Sequence, residues 1–330
     1  MGEKKLKVAV IGLGKMGLLH GSILNVLPNV ELTAFCEKDK LIRRFLKKVV
    51  KNVPVLDDVA RLSDFDLDIV YVTTPIPSHF DVARQVYANK IARNLFIEKT
   101  LAASHAEAQE ISRFAKQLSM VNMVGYIRRF FVTFKKAKIL LDEGVLGEPS
   151  SFKAYAYSSD FLDRGTDDKI SASRGGVMSD LGCYILDLAN WFFGDLDVKS
   201  AEVHSTEDGS SSETIGFVLS QLGGLKGFCD VSWYMKDFRM PEVGFSISGS
   251  KGVLEVNDDK VELKLENSES AKWYRHDLND NVFFWLAAPE YFREDEYFVQ
   301  SVLEGRKAEP SFESGSKVDR MIEDVMKKLG

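Results

Sequence analysis

Cysteine is scarce in this chain. Its 330 residues include three, Cys36, Cys183 and Cys229, odd in number and far apart. That spacing offers neither a disulfide framework nor a zinc site, so no metal is expected and a reducing cytoplasm is. An excess of positive charge is also missing: 43 Lys and Arg against 49 Asp and Glu leave a net charge of −6. The short basic pieces Arg43-Arg44 and Lys47-Lys48 read as a solvated helix face, so no nucleic-acid partner is expected. No apolar run reaches membrane-spanning length, so no membrane partner is expected either. The start, Met1-Gly2-Glu3-Lys4-Lys5, does not fit a secretory signal, and Leu6 stands where a myristoylation signal needs Ser or Thr. What remains is an ordinary globular composition, 45% apolar, in a length suited to about two domains.

One local pattern carries more information than all of this. The apolar run Val8-Ala9-Val10-Ile11 stops at Gly12-Leu13-Gly14-Lys15-Met16-Gly17 and restarts as a helical pattern through Leu18-Leu19-His20. A strand that turns on glycines into a helix is a phosphate-binding turn. The first Gly permits the turn, the second admits a pyrophosphate, and the third lets helix and strand pack closely. Helix-start N–H groups and the helix dipole then favour the anion. A second apolar run, 30–36, ends in Glu37, 20 residues past Gly17, where a ribose-binding carboxylate is expected. That acid should accept hydrogen bonds from the ribose and repel a 2′-phosphate. NAD(H) is therefore the preferred cofactor; Lys38 and Lys40 nearby leave NADP(H) open.

Along the first third, strand patterns at 8–11, 30–36, 68–72, 94–97 and 120–124 alternate with helical ones, notably 81–89 and 105–117. This is the doubly wound α/β grammar. A helix is expected over 133–143. After Pro149 the pattern becomes antiparallel, with strands expected at 151–158, 198–206, 213–221, 225–234, 243–249 and 253–256, separated by turn signals. One helix, 178–193, interrupts them, and the tail is helical over 290–303 and 317–329. The expected organisation is a dinucleotide-binding domain over 1–125 and an α+β substrate and oligomerisation domain over 126–330. Packing of the C-terminal helices back onto the first domain is left open.

Two strand ends in the first domain carry polar groups. Thr73-Thr74-Pro75 closes one strand, with His79 just beyond, and Glu98-Lys99 closes the next. Carboxyl ends of such strands border the ligand crevice. Lys99 is either a functional cation or a lysine that snorkels to water. In the second domain Asp180, Tyr184 and Asp187 share a helix face by their i, i+4, i+7 spacing. A Lys, an Asp and a Tyr facing a nicotinamide would form a carbonyl/alcohol site, since the hydroxyl must exchange a proton as carbon exchanges hydride. The bland readings are a helix-dipole role for Asp180 and core packing for Tyr184. Arg164, Lys169 and Arg174 precede that helix, and Lys153 lies on the first strand of the second domain. They are candidates for holding a phosphate or carboxylate, or else loop charges.

Taken together, these motifs resemble the glucose–fructose oxidoreductase, inositol dehydrogenase and rhizopine-catabolism (Gfo/Idh/MocA) family. The resemblance rests on the Gly12–Gly17 turn with His20, on Glu37, on Thr74-Pro75 with His79, and on Glu98-Lys99. It continues through Gly125-Tyr126-Ile127-Arg128-Arg129-Phe130, and Gly175-Gly176 through Asp180-Leu181-Gly182-Cys183-Tyr184 to Asp187. It implies a Rossmann domain followed by an open, mainly antiparallel sheet. It implies oxidation of a sugar or cyclitol hydroxyl, or reduction of the ketone. The family's lysine maps to Lys99 and its site aspartate to Asp180. Cofactor contacts are expected from Gly12, Gly14, Lys15, Met16, Gly17, Glu37, Thr73, Thr74, Pro75, His79, Glu98 and Lys99. Substrate contacts are expected from Arg128, Lys153, Arg164 and Arg174.

The chain departs from the family pattern twice. Thr100 replaces the usual proline after the lysine, so a trans or otherwise altered turn is expected there. Tyr184 replaces the usual histidine. A phenol is a better acid than base, which favours ketone reduction with Tyr184 as the proton donor. A homodimer or homotetramer is expected, because strands 217–219 and 228–233 carry apolar residues on both parities and the resemblance points the same way. Two other readings compete: an enzyme of the NAD-dependent glycosidase type, and a non-catalytic regulator that senses NAD(P) or sugar. The presence of Lys99 weighs against the regulator.

Overall fold

A computed structural model describes residues 5–118, 120–161, 174–204, 214–266, 269–282 and 289–330. The chain forms two compact units, one of residues 1–126 with 282–319 and one of 127–281 with 320–330. Cys36, Cys183 and Cys229 are buried free thiols. Among the described residues no helix is long and apolar enough to cross a membrane.

The first unit is built on six parallel strands: β1 (Leu6–Ile11), β2 (Val30–Cys36), β3 (Val55–Leu56), β4 (Leu67–Val72), β5 (Ala92–Glu98) and β6 (Asn122–Gly125). Their order is β3-β2-β1-β4-β5-β6. Runs such as Val8-Ala9-Val10 and Ile69-Val70-Tyr71-Val72 are fully buried, as strands covered on both faces must be. The helices are α1 (Lys15–Leu24), α2 (Lys40–Val49), α3 (His79–Ala88) and α4 (His105–Gln117). β3, two residues long, is too short to leave a pattern. Chain order reverses between β1 and β4, the switch point where open α/β sheets bind ligands at strand carboxyl ends.

The second unit contains α5 (Val132–Asp142), β7 (Pro149–Tyr157), a π-helical turn (Met178–Gly182) and α6 (Cys183–Phe193). Then come β8 (Asp197–His204), β9 (Thr214–Ser220), β10 (Lys226–Ser232), β11 (Glu242–Gly249), β12 (Gly252–Asn257), β13 (Lys260–Leu265) and β14 (Ala271–Tyr274). Two more helices end the chain, α7 (Pro289–Glu304) and α8 (Phe312–Leu329). α7 and residues 312–319 of α8 belong to the first unit; the rest of α8 belongs to the second.

The eight strands run β14-β13-β12-β11-β7-β10-β9-β8. Among the described residues of this sheet only the β7–β10 pair is parallel; the others are antiparallel. Strand alternation gives this sheet two unlike faces. Phe152, Ala154, Ala156, Val231, Phe245 and Ile247 are buried. α6 packs on that face, with Phe193 stacked on Phe152 at 4.9 Å and Phe192 edge-on to Phe245 at 5.5 Å.

The opposite face carries Lys153, Tyr155, Tyr157, Asp230, Ser246, Glu255 and Lys260, around a cavity of about 420 Å³. Val218 and Phe228 are cross-strand partners on it. The outer face is therefore polar with a small apolar island, not apolar throughout. β13 and β14 were absent from the expected strands. β13 reads Lys-Val-Glu-Leu-Lys-Leu, an alternation in which Val261 and Leu263 are the buried parity.

Candidate functional site

In the first unit, the carboxyl end of β1 turns at Gly12 with φ +91°, and a Cβ there would lie 2.7 Å from Thr74 Cγ2. A Cβ on Gly17 would lie 1.9 Å from Gly12 O. Both positions therefore require glycine. Gly14 differs: a Cβ on it would find nothing within 4 Å. The cradle above it is open, and α1 begins there with no side-chain cap and no acid in its first turn. Its first N–H groups, those of Lys15 and Met16 among them, have no intrahelical acceptor. An open cradle of backbone donors at a helix start fits a pyrophosphate.

Glu37 lies at the rim. Its Oε2 accepts from Leu13 N–H at 2.6 Å and its Oε1 from Asp39 N–H at 2.8 Å. The carboxylate is thus held by the turn, and each oxygen keeps a second lone pair for a ribose hydroxyl. Thr73 closes the turn from β4, its hydroxyl donating to Gly12 O at 2.7 Å. Thr74 and Pro75 continue that edge.

Lys99 is half-buried just past the end of β5. Its N–H donates to Glu98 Oε2 at 3.0 Å. The Lys99–Thr100 peptide is cis, which corrects the trans half of the expectation of a trans or otherwise altered turn at this threonine. The turn is fixed by its surroundings: Thr100 is buried, its hydroxyl donates to Ala102 O at 3.2 Å, and its carbonyl lies 2.8 Å from His79 Nδ1. His79 Nε2 is 2.7 Å from Thr74 O. Burial lowers the His79 pKa, against the two carbonyl contacts, which raise it. His79 therefore ties the loops after β4 and β5 from within the domain.

In the second unit, Asp180 sits in the π-helical turn, a form common at functional sites. Its Oδ2 accepts from Arg174 at 3.2 Å and from Trp233 Nε1 at 3.2 Å. Arg174 also pairs with Asp160 at 2.6 Å and lies over the Phe161 ring. Trp233 and Asp160 were not foreseen; they lie far from Asp180 in the chain, and no local pattern joins them to it.

Tyr184, the second residue of α6, is largely buried, with the Arg128 guanidinium 5.0 Å from its ring centre. The expected shared face of Asp180, Tyr184 and Asp187 is not kept. The wider π turn shifts Asp180 in phase from the regular helix that holds Tyr184 and Asp187, and Asp187 is buried in a two-pronged pair with Arg129 at 2.8 and 2.7 Å.

The expected substrate residues separate. Arg128 is buried, donating to Pro241 O at 2.9 Å and pairing with Asp258 at 3.0 Å. Its charge is matched inside the unit, beneath Tyr184. Lys153 lies on the outer face of the sheet, opposite the face on which α6 packs. A one-residue step along β7 separates it from Phe152, and strand alternation puts the two on opposite sides. Arg174 stays with Asp180. Arg164 and Lys169 lie outside the described residues.

Comparison with known proteins agrees with both halves. Residues 6–126 match the model of the oxidoreductase family with an NAD-binding Rossmann fold. Residues 134–255 match the GFO/IDH/MocA C-terminal domain. The chain is 27% identical over 208 residues to scyllo-inositol 2-dehydrogenase (NAD(+)) of Bacillus subtilis, covering 61% of this chain and 58% of that protein. It is 24% identical over 328 residues to myo-inositol 2-dehydrogenase of Thermotoga maritima, covering 94% and 92%. The fold is shared with levoglucosan dehydrogenase in complex with NADH and levoglucosan, at a TM-score of 0.87, 17% identity, and coverage of 98% and 97%. With family models matched in both halves of the sequence, the chain belongs to the Gfo/Idh/MocA family of NAD-dependent oxidoreductases.

Proposed function

We propose that this enzyme reduces a keto-sugar, with a cyclitol or nucleotide-sugar as the related substrate classes, using NADH in preference to NADPH. When bound, the nicotinamide supplies the hydride. The chain's own residues do the rest. Gly12, Gly14 and Gly17 shape the cradle, and the α1 N-terminus holds the pyrophosphate. The Glu37 carboxylate takes the ribose hydroxyls and repels a 2′-phosphate. Lys99 orients the substrate oxygen, Asp180 accepts from substrate hydroxyls, and Tyr184 gives the proton. The observation that carries the cofactor half is the open space above Gly14, at an uncapped helix start, beside a carboxylate fixed by the same turn.

The substrate class is supported by relatives named for inositols and by D-apiose dehydrogenase of Rhizobium rhizogenes. The direction rests on Tyr184 standing where the family usually has histidine. The test is to follow the near-ultraviolet absorbance of NADH, and separately NADPH, with a panel of keto-sugars and inosose-type ketones. Consumption of NADH with at least one ketone is the expected result. Turnover only in the direction of alcohol oxidation would overturn the assignment of Tyr184.

The same reading includes a cytoplasmic homodimer or homotetramer. Its support is the Val218–Phe228 island on the outer sheet face, with Phe228 48% exposed. A monomeric mass by light scattering at micromolar concentration would refute it.

A further inference from the structure

His20 has no part in the cofactor cradle, yet it is fully buried and bonded at both ring nitrogens. Nε2 lies 3.0 Å from Glu98 Oε1. Nδ1 lies 2.8 and 3.0 Å from the two oxygens of Asp295 on α7. Carboxylates accept and do not donate, so both ring nitrogens carry protons. Burial by itself would lower the His20 pKa; the charge and hydrogen bond of Asp295, and then those of Glu98, outweigh it and hold it well above the ordinary value. The ring is boxed by Phe96 at 5.1 Å, Tyr71 at 5.6 Å and Tyr291 at 6.0 Å. The adjacent acid on α7, Glu294, is fully buried, and burial pushes its pKa well up.

Glu98 is gripped on three sides. His20 holds Oε1, the Lys99 N–H holds Oε2, and β6 leaves no slack, since a Cβ on Gly125 would lie 3.2 Å from Glu98 Cδ. A buried ion cluster is poor evidence of stabilisation in itself, because apolar packing does as well. What distinguishes this one is where it ends: the chain of bonds Asp295–His20–Glu98 terminates on the backbone N–H of Lys99. We infer that His20 is a positioning residue for Lys99, acting through Glu98, which it holds in the one orientation that fixes the Lys99 backbone. The inference rests on the proposed role of Lys99 for its catalytic meaning, but its structural content does not need that role.

The test is amide hydrogen exchange in the cofactor-free protein, read residue by residue. His20→Phe keeps a ring in the aromatic box and removes both donors. The Lys99 amide should then exchange roughly 10-fold to 100-fold faster, the scale of losing one hydrogen bond to a charged acceptor. Phe96 and Ile97, within β5, should keep their protection. Asp295→Asn disturbs the same buried cluster but leaves Nε2 free to donate to Glu98, so Lys99 should stay protected. Acceleration along the whole of β5 in His20→Phe, or equal loss at Lys99 in Asp295→Asn, would reduce His20 to a core residue and overturn the inference.

If His20→Phe does not fold, His20→Phe with Asp295→Leu removes the stranded carboxylate and is read in the same way. In the folded variant, ketone turnover should fall while NADH affinity, measured by fluorescence, stays within a few-fold of wild type. Near-normal turnover of Lys99→Ala would defeat the proposed function without touching the exchange result.

Discussion

The two units build their polar sites by opposite means. In the first, the carboxyl ends of β1, β4 and β5 are fixed by backbone geometry and by buried side chains: Thr73 on Gly12, His79 between Thr74 and Thr100, and Glu98 on Lys99. In the second, the Asp180 carboxylate is held by side chains from separate segments, Arg174 and Trp233, and Arg174 is itself shared with Asp160. On the proposed function, the difference suits a constant cofactor and a variable substrate. A site made of backbone N–H groups cannot be altered by substitution except at its glycines. A site made of side chains can be retuned one residue at a time.

The contrast can be broken first at Tyr184. If the second unit supplies the proton, Tyr184→Phe keeps the ring packed against Arg128 and removes the proton. Ketone reduction should fall roughly 10²-fold to 10⁴-fold, with the melting temperature nearly unchanged. Wild-type reduction rates in the variant would show the phenol to be only a core aromatic.

The next effect in size is at Gly17. An added Cβ would meet Gly12 O at 1.9 Å, so Gly17→Ala must move backbone. A destabilisation of about 1–3 kcal/mol, typical of overpacking, is expected together with loss of NADH binding. Calorimetry with and without NADH reads both.

Gly14→Val sharpens the comparison, because its Cβ meets no protein atom. The fold should be retained while NADH affinity drops at least about tenfold, or ~1.4 kcal/mol. Unchanged affinity would mean that the cradle above Gly14 is not where the pyrophosphate lies.

The smallest expected effect is the pH dependence of stability, where His20 and His79 oppose each other. His20 has its folded pKa raised, so its contribution is complete below the unfolded value of about 6.5 and is lost as pH rises through the folded one. His79 has its folded pKa lowered by burial, so its contribution is present above the unfolded value and is lost as pH falls below it. Melting curves against pH should therefore lose their acid-side slope in His79→Phe and their alkaline-side slope in the folded variant at His20. Identical slopes in wild type and His79→Phe would contradict a lowered His79 pKa in the folded protein.

How much was legible follows the same division. The strand expected at 30–36 and the helix at 105–117 are β2 and α4 to the residue, because apolar periodicity and the Ser104 cap mark their ends. The Gly12–Gly17 turn and Glu37 were legible because their work is local and steric. Asp180 and Tyr184 could be singled out, but the π turn that separates Asp180 in phase from Tyr184 and Asp187 leaves no mark on a 3.6-residue pattern. Lys153 and Arg128 were both expected to contact substrate; alternation along β7 puts Lys153 on the face opposite α6, and Arg128 pairs with Asp258, a partner 130 positions away that no local pattern marks.

The sequence by itself therefore determined the fold class, the phosphate-binding turn, the acid after β2 and the lysine after β5. Each follows from neighbours within a few residues or a fixed spacing. Only the tertiary structure decided the state of the Lys99–Thr100 peptide, the pairing of Arg128 with Asp258 and the bonding of His20 between Glu98 and Asp295. His20 and Asp295 lie 275 positions apart. Whether a buried charge is matched depends on which distant side chain reaches it, and that is a property of packing, not of sequence pattern.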